Sequence, residues 1–181
     1  MKSIHEWSIF RSGLIRVTTT LAVTGFIVCI SVAGVVAGEK SPLKIGDITP
    51  RVDLTDTKGS TVRIPDDLRG KVVLLQFWAS GCGACNDEMS AMQALNDRYG
   101  RKGLVILAIN VGQKKEAVKK LLQHMRISFP VLLDSDREMA RKYDVVDMPR
   151  TFLVDRKGII RYKIVGNAAP EMMQKKIVSL L

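Results

Sequence analysis

Leu74-Leu75-Gln76-Phe77-Trp78-Ala79-Ser80-Gly81-Cys82-Gly83-Ala84-Cys85 is an apolar run that stops at a turn carrying two cysteines with two residues between them. The run reads as a strand and the turn as a helix start, so a dithiol is delivered to a helix N-terminus. There the unpaired backbone N–H groups and the helix dipole favour a thiolate and lower its pKa. A low-pKa thiolate beside a second thiol is equipped for thiol–disulfide exchange.

The rest of the composition leaves that motif alone with its chemistry. The 181 residues suit one domain plus an appendage, and 46% hydrophobic residues suffice for a core without a disulfide scaffold. Of three cysteines, Cys29 lies in an N-terminal apolar stretch, which leaves only Cys82 and Cys85 for the water-soluble part. The net charge is +10, of which the first 37 residues carry +2 (Lys2, Arg11 and Arg16 against Glu6), leaving +8 for the domain. The cations are scattered among Asp and Glu; the densest group, Lys114, Lys115, Lys119 and Lys120, falls on a predicted helix and reads as a solvated face. No nucleic-acid partner is expected.

Residues 17–37 contain no charge and span about 32 Å as a helix, enough to cross a bilayer. The preceding cations predict a cytoplasmic N-terminus and an exported remainder. Val35-Val36-Ala37 before Gly38 has the small-residue pattern of a cleavage site, so residues 1–37 are a signal peptide or a signal anchor. The expected localisation is the anchored form, on the periplasmic or extracytoplasmic face of the inner membrane. Residues 38–46 form a tether and residues 47–181 a folded domain.

Within that domain Val52 and Leu54, then Val62 and Ile64, alternate about Asp56-Thr57-Lys58-Gly59, predicting a hairpin. A strand over 71–78 follows, with Gln76 its one polar intruder. Met89, Met92, Leu95 and Tyr99 recur at helical spacing and read as core. Strands over 104–109 and 131–134 alternate with helices over 114–125 and 137–143, which implies right-handed parallel crossovers. Strands over 151–154 and 159–165 close an antiparallel hairpin, and a helix over 170–181 ends the chain.

Several other uses of a cysteine pair fail on composition. A zinc site wants about four ligands, and only His124 is available besides the pair. Haem attachment requires histidine where Asn86 stands. A peroxide-reducing cysteine of the peroxiredoxin type wants threonine and proline where this chain has Ala79 and Leu75. A purely structural disulfide in so small a ring would constrain the unfolded chain little. No metal or other cofactor is expected beyond a redox-active Cys82–Cys85 disulfide.

Phe77-Trp78-Ala79 before Cys82-Gly83-Ala84-Cys85, with Met148-Pro149-Arg150-Thr151-Phe152-Leu153-Val154-Asp155 downstream, resembles the thioredoxin superfamily. Ile45-Gly46-Asp47, the hairpin, Lys71-Val72-Val73-Leu74, Glu88-Met89 and the added helix and strand near 113–133 narrow the likeness to the TlpA/ResA-like thiol–disulfide oxidoreductases. The resemblance covers about residues 43–181. It implies an α/β, thioredoxin-like fold, with a central mixed sheet flanked by helices, an N-terminal β-hairpin and a central helix-strand insertion. It also implies that Cys82 attacks, that Cys85 resolves, and that Pro149 is cis in a loop against the disulfide. Trp78, Gly83, Ala84, Glu88, Met148, Pro149 and Arg150 would shape the site. Protein disulfides are the implied substrates and a membrane thiol reductase of the DsbD or CcdA kind the implied electron source. Cytochrome c biogenesis and oxidase copper-site assembly are the tasks the likeness suggests.

Three positions depart from the pattern. Gly81 stands where the family usually has tryptophan, and Arg150 where it usually has threonine. Gln76 replaces a buried aspartate of thioredoxins; being neutral, it leaves the role of base for Cys85 to water or to Glu88, one turn further along the helix. Arg150 either supports the Cys82 thiolate or points to solvent, and Glu88 is either that base or a solvated carboxylate. The Cys82 pKa is expected within the roughly 3.5–7.5 range of activated thiols. An oxidant that introduces disulfides, and a copper-delivery module using Met148 as third ligand, remain the competing functions.

Overall fold

The centre of the molecule is the strand the sequence marks most strongly, and Val72–Trp78 is buried along its whole length. The computed structural model describes residues 42–80 and 83–181, and of residues 83–87 the backbone alone. The expected membrane segment 17–37, residues 38–41 of the tether, Gly81 and Cys82 lie outside the described residues.

Seven strands, β1 (Val52–Asp56), β2 (Thr61–Ile64), β3 (Val72–Trp78), β4 (Leu104–Val111), β5 (Val131–Asp134), β6 (Arg150–Val154) and β7 (Ile160–Val165), form one sheet. Its order is β2-β1-β5-β4-β3-β6-β7. The inner strands β3, β4 and β5 are parallel. The pairs β1–β5, β3–β6 and β6–β7 are antiparallel, so the sheet is mixed as expected. The N-terminal hairpin docks on β5, the strand of the insertion. Strands β2 and β7 are left at the two edges; β2 is only four residues long and carries Arg63, which pairs with Asp67 at 2.9 Å. Strand β7 carries Arg161, paired with Asp155 at 2.6 Å, and Lys163.

Among the described residues four α-helices cover the sheet: α1 (Gly83–Tyr99), α2 (Lys115–Leu122), α3 (Glu138–Lys142) and α4 (Pro170–Val178). Alternation along the strands divides the core in two. On one side Val73, Leu75 and Phe77 pack with Ile109, Phe152 and the α3 residues Met139 and Ala140, together with the hairpin. On the other, Val72, Leu74 and Trp78 pack with Met89, Met92, Leu95 and Tyr99 of α1, Val118 of α2, and Met173 and Ile177 of α4. The methionine stripe is core, as its spacing predicts.

The helices are shorter than the sequence patterns suggest. α2 ends at Leu122, three residues before the expected end, and α4 at Val178. In each the apolar positions continue past the helix, and Met125, Leu180 and Leu181 pack on the core from non-helical backbone. Hydrophobic spacing alone does not tell the two cases apart.

Candidate functional site

Strand β3 and helix α1 build the site by their junction. β3 ends at Trp78, and α1 begins at Gly83, the residue after Cys82 in sequence, which puts Gly83, Ala84 and Cys85 in its first turn. The pairing of β3 with β6 supplies the other wall. Gln76 lies opposite Thr151 and Phe77 opposite Arg150, so the antiparallel register brings Pro149 level with Trp78. The Met148–Pro149 bond is cis, as the resemblance implies. The Pro149 carbonyl accepts from Gly166 N–H at 2.9 Å, tying this loop to the end of β7.

Beneath the junction the α1 side of the sheet is polar where a core would be apolar. Gln76, Asn110 and Thr151 are fully buried on it, and Glu88 of α1 is only 7% exposed. Gln76 Nε2 donates to Glu88 Oε2, and Ala168 N–H donates to Glu88 Oε1 at 3.3 Å. Burial pushes the Glu88 carboxyl above the usual carboxylate range, and the hydrogen bonds from Ala168 and Gln76 oppose that shift. Glu88 is thus a buried, partnered carboxyl, and the reading of it as a solvated surface charge does not hold. A cavity of about 190 Å³ lined by Glu88, Ala91, Asn167, Ala168 and Pro170 opens beside it. A larger one, about 240 Å³, lies by Val73 and Val154 at the other end of β3, away from this chemistry.

The remaining predicted site residues divide between the two faces. Trp78 is buried on the α1 side, and its Nε1 has no partner among the described residues. Met148 packs against the opposite core. Arg150 is buried and, by strand alternation, starts from the same side as Phe152, with no partner for Nε among the described residues. It does not point to solvent. The Cys82 position and the Gly83, Ala84 and Cys85 side chains are outside the described residues.

Two residues that sequence reading passed over join this site. Asn110 lies opposite Trp78 in the β3–β4 register, and its Nδ2 donates to Gln113 Oε1 at 2.8 Å. Gln113 also bonds Ser80, two residues before Cys82. Asn110 carries the same signal that exposed Gln76, a polar residue inside an apolar strand.

A mixed sheet of this order, with a strand-to-helix junction at the end of β3 and a cis-proline loop leading into β6, is the thioredoxin-like architecture. Residues 45–163 match the model of the AhpC/TSA family. The chain is 35% identical over 142 residues to the thiol-disulfide oxidoreductase ResA of Geobacillus kaustophilus, covering 78% of this chain and 81% of that protein. It is 34% identical over 139 residues to ResA of Bacillus subtilis, covering 77% and 76%. A crystal structure of a protein assigned as thiol:disulfide interchange protein DsbE from Chlorobium tepidum superimposes with a TM-score of 0.72 at 32% identity, covering 76% of this chain and 98% of that one. The chain belongs to the AhpC/TSA family and, within it, to the ResA/DsbE-type thiol–disulfide oxidoreductases. Its activity is that of a protein thiol–disulfide oxidoreductase.

Proposed function

We propose that the protein reduces disulfides of other proteins on the extracytoplasmic side of a membrane, through the dithiol Cys82–Cys85. The observation that carries this reading is the buried Gln76–Glu88 pair set one turn beyond Cys85. In the proposed cycle the Cys82 thiolate attacks one sulfur of the target disulfide and expels the other as a thiolate, forming a mixed disulfide. Cys85 then loses its proton and attacks Cys82. The Cys82–target bond breaks, the target leaves with two electrons and accepts protons at its sulfurs, and Cys82–Cys85 is left oxidised.

Glu88 is the proposed base for the second step. Its raised pKa brings the carboxyl closer to a thiol than an exposed glutamate would be, which suits proton transfer near neutral pH. Gln76 supports both protonation states. Its Nε2 donates to the carboxylate; once Glu88 is protonated, a half-turn of the amide lets the acid donate to Oε1, an atom without a partner among the described residues.

Residues 17–37 are proposed as the anchor, a membrane thiol reductase as the source of electrons, and cysteines of apocytochromes or copper-site proteins as the substrates. The likeness to ResA supports thiol–disulfide exchange as the chemistry of this cycle. The test is capture with a Cys85→Ser variant of the full chain. It is expected to accumulate mixed disulfides with client proteins through Cys82, and the added change Cys82→Ser should abolish them. The wild-type couple should lie nearer the about −270 mV of thioredoxin than the about −120 mV of DsbA. No capture, or a potential at the oxidising end, would overturn the reading.

A further inference from the structure

We propose that Gln113 is a positioning residue for the dithiol, clamping the segment that leads into Cys82; this rests on the assignment of Cys82 as the attacking thiol. Gln113 lies in the loop between β4 and α2, 33 positions along the chain from the serine it holds. Its Oε1 accepts from Ser80 N–H at 2.7 Å and from Asn110 Nδ2 at 2.8 Å. Two N–H donors at one atom fix the orientation of the amide, because the reversed amide would set donor against donor. That orientation directs Nε2 to Ser80 Oγ, so the amide grips the backbone and the side chain of Ser80 together.

The clamp is held from behind. Ser135 Oγ donates to the Gln113 carbonyl at 2.9 Å, and Gly112 N–H donates to the Asp134 carbonyl at 2.9 Å, fastening the loop to the end of β5. Asn110 is fully buried in β4 opposite Trp78, so its amide is a fixed post. The end of β3 is therefore bonded across the sheet to β4 and β5 immediately before the dithiol. Asp134 at the end of the insertion strand β5 and Ser135 just after it supply that attachment.

Exchange requires three sulfurs to approach in line, and a misplacement of about 1 Å at a reacting group can cost about a hundredfold in rate. Releasing Ser80 should act on that geometry. In the full chain, Gln113→Leu removes all three side-chain bonds, and the limiting rate of disulfide reduction at high pH should fall about tenfold. Gln113→Glu keeps an acceptor for Ser80 N–H and Asn110 and a second oxygen for the Ser80 hydroxyl, while adding a negative charge. It should keep the limiting rate within about twofold, and the midpoint for alkylation of Cys82 should move to higher pH, as a like charge disfavours a thiolate. A Gln113→Leu protein with the wild-type rate, or two variants that lose rate equally with no shift in midpoint, would overturn the proposal. Retained reduction by Cys82→Ser would overturn it together with the assignment of the thiol, whereas failure confined to the Gln113 variants leaves that assignment standing.

Discussion

On the α3 side of the sheet, Phe77, Tyr143 and Phe152 meet in a triangle with ring centroids 5.4 to 5.7 Å apart. On the α1 side, strands β3, β4 and β6 bury Gln76, Asn110 and Thr151, and Gln76 bonds Glu88 of α1. Four buried atoms of that second side, Gln76 Oε1, Trp78 Nε1, Asn110 Oδ1 and Thr151 Oγ1, have no partner among the described residues. An unsatisfied buried polar group typically costs about 1–3 kcal/mol, so this side is the weaker half of the core. The aromatic triangle gains by tilted and edge-on contact, about 0.5–1.5 kcal/mol per pair beyond area burial. The sheet therefore separates an aromatic face, with Arg150 Nε its one unpartnered buried side-chain atom among the described residues, from a face that holds four such atoms.

That separation can be broken from either side. The largest effect on stability is expected from Phe152→Ala, which removes two of the three ring contacts and should cost about 3–5 kcal/mol. The potential of the dithiol in the folded fraction should not move; a large shift would mean that the faces are coupled. Denaturant unfolding and thiol titration against a glutathione buffer measure the two quantities.

Glu88→Gln should do the reverse, slowing resolution of the mixed disulfide about a hundredfold near neutral pH. It should also raise stability there. Burial holds the folded-state pKa of Glu88 above its unfolded value, so its contribution is fully present below the unfolded pKa and is lost as pH rises through the folded one. Glutamine has no such loss. The variant should gain on wild type between acidic and neutral pH in parallel denaturation curves, and a constant difference between the two would refute the shifted pKa.

The smallest effect belongs to Gln76→Leu. It removes an unsatisfied Oε1 along with the donor to Glu88, and the two should nearly cancel within about 1 kcal/mol of stability. Loss of the donor should raise the Glu88 pKa further, moving the pH dependence of resolution upward. A pH–rate profile unmoved by this change would separate Gln76 from the chemistry.

Much of this plan was legible in the residues themselves. A continuous apolar run marked β3, alternation marked β1 and β2, and the spacing of Met89, Met92, Leu95 and Tyr99 gave the buried stripe of α1. The dithiol turn and the Pro149 loop were legible as motifs. What could not be read was pairing between distant segments. That the hairpin docks on β5 rather than on β3 leaves no local signal in either strand. Gln113 was invisible for the same reason, since a loop glutamine gains meaning only from the Ser80 it reaches. The side chosen by Arg150 was readable and went unread: counting alternation from Phe152 places it opposite α1. Asn110 was missed although its polarity in an apolar strand was as plain as that of Gln76.

The sheet edges have a consequence for the company this protein keeps. A protein that acts on disulfides meets chains that are not yet fully folded, and such chains pair readily with any open strand. The four-residue β2, with Arg63 bound to Asp67, and β7, with Arg161 and Lys163 along it, are poor templates for added strands. Edges that discourage added strands also discourage co-aggregation with such chains.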